Sequence, residues 1–399
     1  MNSSPDQTRI DTPRRISILG STGSIGTNTI DLIRRNASAY KVEALTANVN
    51  VNLLADQARR LNAAFVAVGD ASRYSELKRA LDGAPTEIGV GREGIIEAAS
   101  RDAEWIMAGI VGAAGMEPTL AAVAQGTVVA LANKECLVCA GDLMMEQVSQ
   151  SGATLLPVDS EHNAIFQVFE ADGRAAIEKI ILTASGGPFR TSTLEAMEAA
   201  TPAQAVNHPN WDMGAKISVD SASMMNKGLE LIEAHYLFAM PESRIDILVH
   251  PQSIIHSMVA YVDGSVLAQL GTPDMRTPIS YTLGWPARLN APSARLDLAE
   301  IGTLTFERPD SERFPALRLA REALKAAGSA PTILNASNEV AVAGFLDGKI
   351  GFLDIPSVVE ETLSRVTQSQ IRTVNDISSV DRIARQMADE IVNRFLLRV

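Results

Sequence analysis

Arg15-Ile16-Ser17-Ile18-Leu19 runs directly into Gly20-Ser21-Thr22-Gly23-Ser24-Ile25-Gly26, and Thr29-Ile30-Asp31-Leu32-Ile33 follows with helical spacing. A short β-type run, a glycine turn and a helix, in that order, make the phosphate-binding start of a nucleotide fold. Glycines there let the backbone approach a pyrophosphate, whose charge is stabilised by N–H groups at the helix start. The spacing is G-x-x-G-x-x-G rather than the commoner G-x-G-x-x-G, so its position between strand and helix carries the reading. An acid about 20 residues later would normally hold a ribose 2′-hydroxyl. Here the second strand, at 42–46, ends in Ala47-Asn48-Val49-Asn50, with no carboxylate to repel a 2′-phosphate and no cation to bind one. NADP is permitted on these residues.

Working outward, β-type runs at 65–68, 87–90, 105–108 and 128–131 alternate with helical stretches, which predicts a doubly wound, Rossmann-like parallel sheet. After the last comes Ala132-Asn133-Lys134-Glu135, a polar trio at a strand's carboxyl end, where open α/β sheets bind ligands. A helix cap explains it equally well. Next, Pro157-Val158-Asp159-Ser160-Glu161-His162-Asn163 places two carboxylates two positions apart on a strand-to-helix corner. Paired hard oxygens suit Mg²⁺ or Mn²⁺, given a third oxygen ligand from elsewhere. Taken alone, the run is also an ordinary N-cap with an acid in the first helical turn.

Further on, Ser185-Gly186-Gly187-Pro188 is a small-residue turn that could hold a phosphate or simply turn the chain. Asn207-His208-Pro209-Asn210-Trp211-Asp212-Met213-Gly214 is aperiodic and polar around a large aromatic, as in a lid or a loop pinned by packing. The segment 221–232 has helical spacing and puts Asn226 and Glu230 on one face with Lys227 beside it. Either this is a solvated face, or Lys227, Ser221 and Ser185 meet a phosphate while Glu230 reaches a metal. Runs at 244–250, 253–261 and 265–270, with Asp263-Gly264 between the last two, predict a hairpin in a mixed sheet. His235, His250 and His256 lack metal-ligand spacing and read as structural.

The expected organisation is a nucleotide domain at 1–158, a catalytic domain at 159–290 with a flap near 207–214, a linker at 291–315 and a C-terminal helical domain at 316–399. Its helices fall at 316–327, 332–346, 355–365 and 380–397. Of 399 residues, 46% are hydrophobic and 21% charged, an ordinary globular balance. A formal charge of −12 gives no basic field for nucleic acid or anionic lipid, leaving small molecules or other protein chains as partners. The polar N-terminal 15 residues and the lack of a long apolar run make the cytoplasm the expectation. Cys136 and Cys139 have no second pair with which to build a zinc site and read as buried thiols.

Together, the glycine turn, Ala132–Glu135, the acidic corner, Ala184-Ser185-Gly186-Gly187-Pro188-Phe189, the His208–Gly214 loop, Met225-Asn226-Lys227-Gly228-Leu229-Glu230 and Val249-His250-Pro251-Gln252-Ser253-Ile254-Ile255-His256-Ser257 closely resemble the 1-deoxy-D-xylulose 5-phosphate reductoisomerases. The blocks occur in the family's order over nearly the whole chain. The resemblance implies NADPH- and metal-dependent conversion of 1-deoxy-D-xylulose 5-phosphate to 2-C-methyl-D-erythritol 4-phosphate, in a homodimer. It implies Asp159, Glu161 and Glu230 as ligands of Mg²⁺ or Mn²⁺, and places Ser185, Ser221, Asn226 and Lys227 on the substrate, mostly at its phosphate. Ser160 and Lys134 would lie near the reacting end, with His208 and Trp211 in the closing flap. Lys134, Asp159, Glu161, Glu230 and His208 would make the catalytic set. Thr22, Gly23, Ser24, Ile25, Asn50, Asn133, Glu135 and Gly214 would contact the dinucleotide. Where relatives often carry a basic residue after the second strand, this chain has Val49. A simple NADP-dependent sugar-phosphate dehydrogenase and a dinucleotide-sensing regulator are the competing readings.

Overall fold

The computed structural model describes residues 12–211 and 213–396. Most of the polar N-terminal segment, Asp212 of the expected flap and the last residue of the expected final helix lie outside the described residues. The chain forms two compact units, each built from separate stretches.

The first unit holds the chain through Asn133 together with Gln147–Val158 and Met275–Pro292. Its sheet contains β1 (Arg14–Leu19), β2 (Tyr40–Ala47), β3 (Phe65–Val68), β4 (Glu87–Val90), β5 (Trp105–Ala108), β6 (Val128–Leu131) and β7 (Thr154–Pro157). The strands are parallel in the order β4-β3-β2-β1-β5-β6-β7, the doubly wound sheet that the strand–helix alternation predicts. All four residues of β3 and of β5 are buried, so these runs are apolar throughout instead of alternating. The strand order turns back between β1 and its neighbours β2 and β5, and the glycine turn lies at the carboxyl end of β1, where such sheets bind ligands. Gly20 has φ +85°, and a Cβ there would lie 2.7 Å from Gly109 O. A Cβ on Gly26 would lie 2.3 Å from Gly20 O, so only glycine lets the Ser24–Arg35 helix start this close to the turn.

A helix at Arg276–Gly284 returns to this unit and buries Ile279 and Leu283 in the core with Ile16, Leu45 and Trp105. Sequence periodicity does not reveal it, since nine residues with Pro278 in the first turn give little helical signal.

The second unit comprises Lys134–Glu146, Asp159–Asp274 and the chain from Ser293 onward. It carries β8 (Ile177–Ala184), β9 (Ile245–Val249), β10 (Ile255–Tyr261) and β11 (Val266–Leu270) in the order β11-β10-β8-β9. β8 and β9 are parallel while β10 runs antiparallel to β8 and β11, giving the mixed sheet that the Asp263-Gly264 hairpin implies. Within the expected linker, Glu307 exchanges two backbone hydrogen bonds of 2.9 Å with Val249, so it covers the β9 edge of the sheet.

The C-terminal helices Ala316–Ala326, Ala330–Leu346, Asp354–Arg365 and Val374–Leu396 fall within this unit, and the last begins six residues earlier than its apolar pattern suggests. The Met225–Phe238 helix packs on Ala316–Ala326, where a Cβ on Gly228 would meet Ala320 Cβ at 2.7 Å. The expected single helix over 221–232 is corrected. Met224 adopts φ +64°, which ends the Ala215–Ala222 helix and starts Met225–Phe238 in a new direction. Ser221 therefore comes from one helix and Asn226, Lys227 and Glu230 from the next.

Candidate active site

In the second unit, Asp159 caps the Ser160–Val168 helix, its Oδ1 accepting from Glu161 N at 3.2 Å. Its other oxygen accepts from Lys134 Nζ at 3.1 Å, so the cap and the acidic corner are one residue serving two purposes. Glu161 occupies that helix's first turn, and Glu230 projects from the Met225–Phe238 helix, fully buried. One oxygen from each of Asp159, Glu161 and Glu230 lies within 4.8 Å of the others.

Two ammonium groups sit among these acids. Lys227 Nζ lies 2.9 Å from Glu161 Oε1 and also donates to Glu230 Oε2, while Lys134 Nζ lies 3.6 Å from Glu230 Oε1. Lys134 further donates to Asn226 Oδ1 at 2.8 Å, and Asn226 Nδ2 donates to Glu230 Oε1. The face shared by Asn226 and Glu230 is therefore buried and bonded rather than solvated.

Burial, followed by the charges of Asp159 and Glu161, pushes Glu230 from the ordinary 4.5 up to about 8. Burial alone would also raise Asp159, but Lys134, His162 and Lys227 outweigh it and hold that carboxyl well below its usual range. For Lys134 and Lys227 burial favours the neutral amine, yet the surrounding carboxylates win and both ammonium groups are held more firmly than usual. Here carboxylates outnumber cations, and the least exposed one takes up a proton for lack of further positive charge. Three hard oxygens around a point already approached by ammonium groups fit Mg²⁺ or Mn²⁺, as an oxygen-only donor set requires.

Three groups near this centre escape sequence reasoning. His162 donates from Nε2 to the backbone carbonyl of Glu230 at 2.9 Å, and its Nδ1 lies 3.6 Å from both Asp159 Oδ1 and Glu233 Oε2. Burial lowers the His162 pKa and raises that of Glu233 well above its ordinary value, so it works against charge on both groups. His256, read as structural from spacing, is buried with its ring 6.3 Å from that of Trp211, and Glu161 is close enough to oppose the lowering of its pKa by burial. A histidine immediately after an acidic corner was the one available signal, for His162. By contrast, His250 serves structure by bonding Thr305 O and Ile254 N.

Of the phosphate candidates, Ser185 and Ser221 lie at the glycine pair of the 185–188 turn, whereas Asn226 and Lys227 bond within the acidic cluster. Ser185 Oγ accepts from Gly187 N at 3.1 Å and lies 2.9 Å from His208 Nε2. Nδ1 of the same ring accepts from the backbone N–H groups of Asn210 and Trp211 at 3.2 and 3.0 Å, which leaves Nε2–H as the donor to Ser185. Asn210 Nδ2 then ties the loop to Pro251 O and Ser253 Oγ at 2.8 and 2.9 Å. Ser221 backs onto the turn, since a Cβ on Gly187 would meet Ser221 O at 2.8 Å. Ser160 Oγ donates to Glu161 Oε2.

Of the residues expected at the dinucleotide, Thr22, Gly23, Ser24, Ile25, Asn50 and Asn133 belong to the first unit, and Glu135 and Gly214 to the second. Gly23 starts the Ser24–Arg35 helix without a side-chain cap and is exposed, so the first-turn N–H groups suit a pyrophosphate. Asn50 Oδ1 accepts from Leu53 N at 3.2 Å, a helix cap, and Val49 beside it is exposed. Asn133 Nδ2 donates to Gly112 O at 2.9 Å. Glu135 opens the Glu135–Ser151 helix and is buried, while exposed Gly214 caps Ala215–Ala222. Cys136 and Cys139 are both buried, as their spacing without a partner pair suggests.

Comparison with known proteins accounts for most of the chain. Residues 16–141 match the family model described as 1-deoxy-D-xylulose 5-phosphate reductoisomerase, 155–238 the C-terminal domain model of that family, and 270–387 the DXP reductoisomerase C-terminal domain. The reductoisomerase of Rhodospirillum centenum is 60% identical over 95% of this chain and 94% of its own length, and that of Zymomonas mobilis 56% identical over 94% and 97%. A solved Zymomonas mobilis enzyme in complex with NADPH superposes with a TM-score of 0.92 at 54% identity, covering 95% of this chain and 99% of its own. A DOX-P reductoisomerase in complex with NADPH, fosmidomycin and magnesium gives 0.90 at 42% identity over 95% and 98%. On this evidence the chain belongs to the 1-deoxy-D-xylulose 5-phosphate reductoisomerase family.

Proposed function

We infer that this protein isomerises and reduces 1-deoxy-D-xylulose 5-phosphate to 2-C-methyl-D-erythritol 4-phosphate, using NADPH and a divalent cation, in non-mevalonate isoprenoid synthesis. The observation that carries the reading is the partly buried Asp159–Glu161–Glu230 cluster with Lys227 lodged in it, inside a chain of this family. When bound, the metal would stabilise negative charge on the substrate's adjacent carbonyl and hydroxyl oxygens, and NADPH would supply the hydride. Asp159, Glu161 and Glu230 would hold the metal.

The chain's own residues do the rest. Ser185, Ser221, Asn226 and Lys227 bind the phosphorylated substrate, so that fragments of a breaking and rejoining carbon skeleton stay in register. Lys134, whose ammonium is held firmly by its acidic neighbours, acts near the reacting end as a cation and not as a base. His208 keeps a proton on Nε2 that it offers to Ser185, and the 207–214 loop with Trp211 shields the bound substrate from water. Thr22 to Ile25, Asn50, Asn133, Glu135 and Gly214 are the proposed dinucleotide contacts.

A homodimer and a cytoplasmic setting belong to the same proposal. β11 is an edge strand with Val266 and Leu267 exposed, a surface suited to a second copy. No described helix is long and apolar enough to cross a membrane.

Following NADPH absorbance with deoxyxylulose phosphate, with and without a chelator, tests the assignment. Metal-dependent oxidation is expected. Chelator-resistant oxidation would favour a simple dehydrogenase, and NADPH binding without turnover a regulator.

A further inference from the structure

The C-terminal helices carry no residue expected at the site, yet one of them reaches the helix that delivers Ser221. Asp220, the neighbour of Ser221 in Ala215–Ala222, is 1% exposed. Its Oδ1 accepts from Asn338 Nδ2 at 2.7 Å and its Oδ2 from Lys216 Nζ at 2.8 Å. Asn338 lies in Ala330–Leu346 and is 0% exposed. Among the described residues its Oδ1 has no hydrogen-bond partner, so the amide is oriented by Asp220 alone.

A buried amide with an idle acceptor stabilises a core less than an apolar side chain of similar size would. What it does supply is direction. The tolerance around Ser221 is small: its carbonyl and Ala222 Cα would lie 2.8 and 3.0 Å from a Cβ on Gly187, whose backbone is held at φ +66°. A shift of the Ala215–Ala222 helix by a fraction of an ångström would therefore either collide with the Ser185–Gly187 turn or open it.

We propose that Asn338 is a positioning residue for the substrate's phosphate: through Asp220 it fixes the helix that sets Ser221 against the glycine turn. This rests on the reading of Ser185, Ser221, Asn226 and Lys227 as the phosphate-binding group. The C-terminal helices thus have a part in substrate affinity without touching substrate.

The test is steady-state kinetics of Asn338→Ala, Ser221→Ala and the double variant in the full-length protein, with deoxyxylulose phosphate, NADPH and Mg²⁺. Loss of one buried hydrogen bond should raise KM for the sugar phosphate about tenfold in Asn338→Ala, with kcat and the KM for NADPH changed less than about twofold. In the Ser221→Ala background the same substitution should change KM less than about twofold, because it acts through Ser221. An unchanged KM in Asn338→Ala, a fall in kcat alone, or full additivity with Ser221→Ala would overturn the proposal. If Ser221→Ala itself leaves KM unmoved, the phosphate reading fails first, and this inference falls with it. Should Asn338→Ala not fold, the isosteric Asn338→Asp, which sets a carboxylate against Asp220, must give the same rise in KM.

Discussion

Lys227 Nζ lies 2.9 Å from Glu161 Oε1 while it also bonds Glu230, so one ammonium group joins carboxylates from two helices at a point proposed to hold a metal. Substituting Lys227→Ala in metal-free protein leaves these acids facing each other, a loss of roughly 3–5 kcal/mol for a broken buried pair. Added Mg²⁺ should then raise the melting temperature more in the variant than in the parent. KM for the sugar phosphate should rise about 10- to 100-fold, the range for a lost charge-assisted hydrogen bond. An undiminished affinity for substrate would remove Lys227 from the phosphate site.

Glu230→Gln keeps the shape and the bond from Asn226 but deletes the third charge. Turnover should fall by about 10²-fold or more, as for removal of one electrostatic stabiliser, while NADPH affinity stays unchanged. Fluorescence titration with NADPH beside steady-state assays checks both halves. Activity equal to the parent's would show that the metal does not need this carboxylate.

The raised pKa of Glu230 predicts a pH dependence. Its folded value, about 8, lies above the ordinary 4.5, so its proton favours the metal-free fold fully below pH 4.5, and that contribution is lost as pH rises through 8. A cation must displace this proton. Mg²⁺ affinity measured by calorimetry should therefore tighten by up to about tenfold per pH unit from pH 6 to 8, then level off. Affinity independent of pH over that range would mean that Glu230 is already ionised.

Asn210 anchors the 207–214 loop through two side-chain hydrogen bonds, to Pro251 O and Ser253 Oγ. Asn210→Ala should lower kcat/KM about tenfold and speed proteolytic cleavage within the loop, since each bond contributes about 1 kcal/mol. Cleavage at the parent's rate would argue that packing of Trp211, rather than Asn210, pins the segment.

Exposed Val49 lies beside Asn50 in the proposed dinucleotide site, which would set it against a ribose 2′-phosphate. Val49→Arg should improve the preference for NADPH over NADH about tenfold by adding a charge-assisted hydrogen bond, with little effect on stability. A preference that does not move would place the 2′-phosphate elsewhere.

The two sheets were legible because their strands are short apolar runs bounded by turns. β3, β4, β5 and β6 have the bounds that the pattern gives. Local chemistry also exposed Asp159, Glu161 and Glu230 as candidates, although nothing local says that residues 69 positions apart meet. What stayed hidden depends on tertiary placement. Met224 breaks a sequence with good helical spacing by a single left-handed residue. The Arg276–Gly284 helix contributes two residues to a distant core, and His256 sits on a strand whose seven residues are all buried, where a polar position carries no pattern of its own.

The path of the chain through its two compact units has a consequence for how the molecule is made. The chain passes from one unit to the other after Asn133, Glu146, Val158, Asp274 and Pro292. During synthesis the nucleotide-binding sheet is complete in strands by Pro157, but Ile279 and Leu283, needed to seal its hydrophobic interior, emerge from the ribosome only after more than a hundred further residues. A nascent chain halted at Val158 would thus present an unsealed apolar face, and no single cut of the gene separates the two compact units.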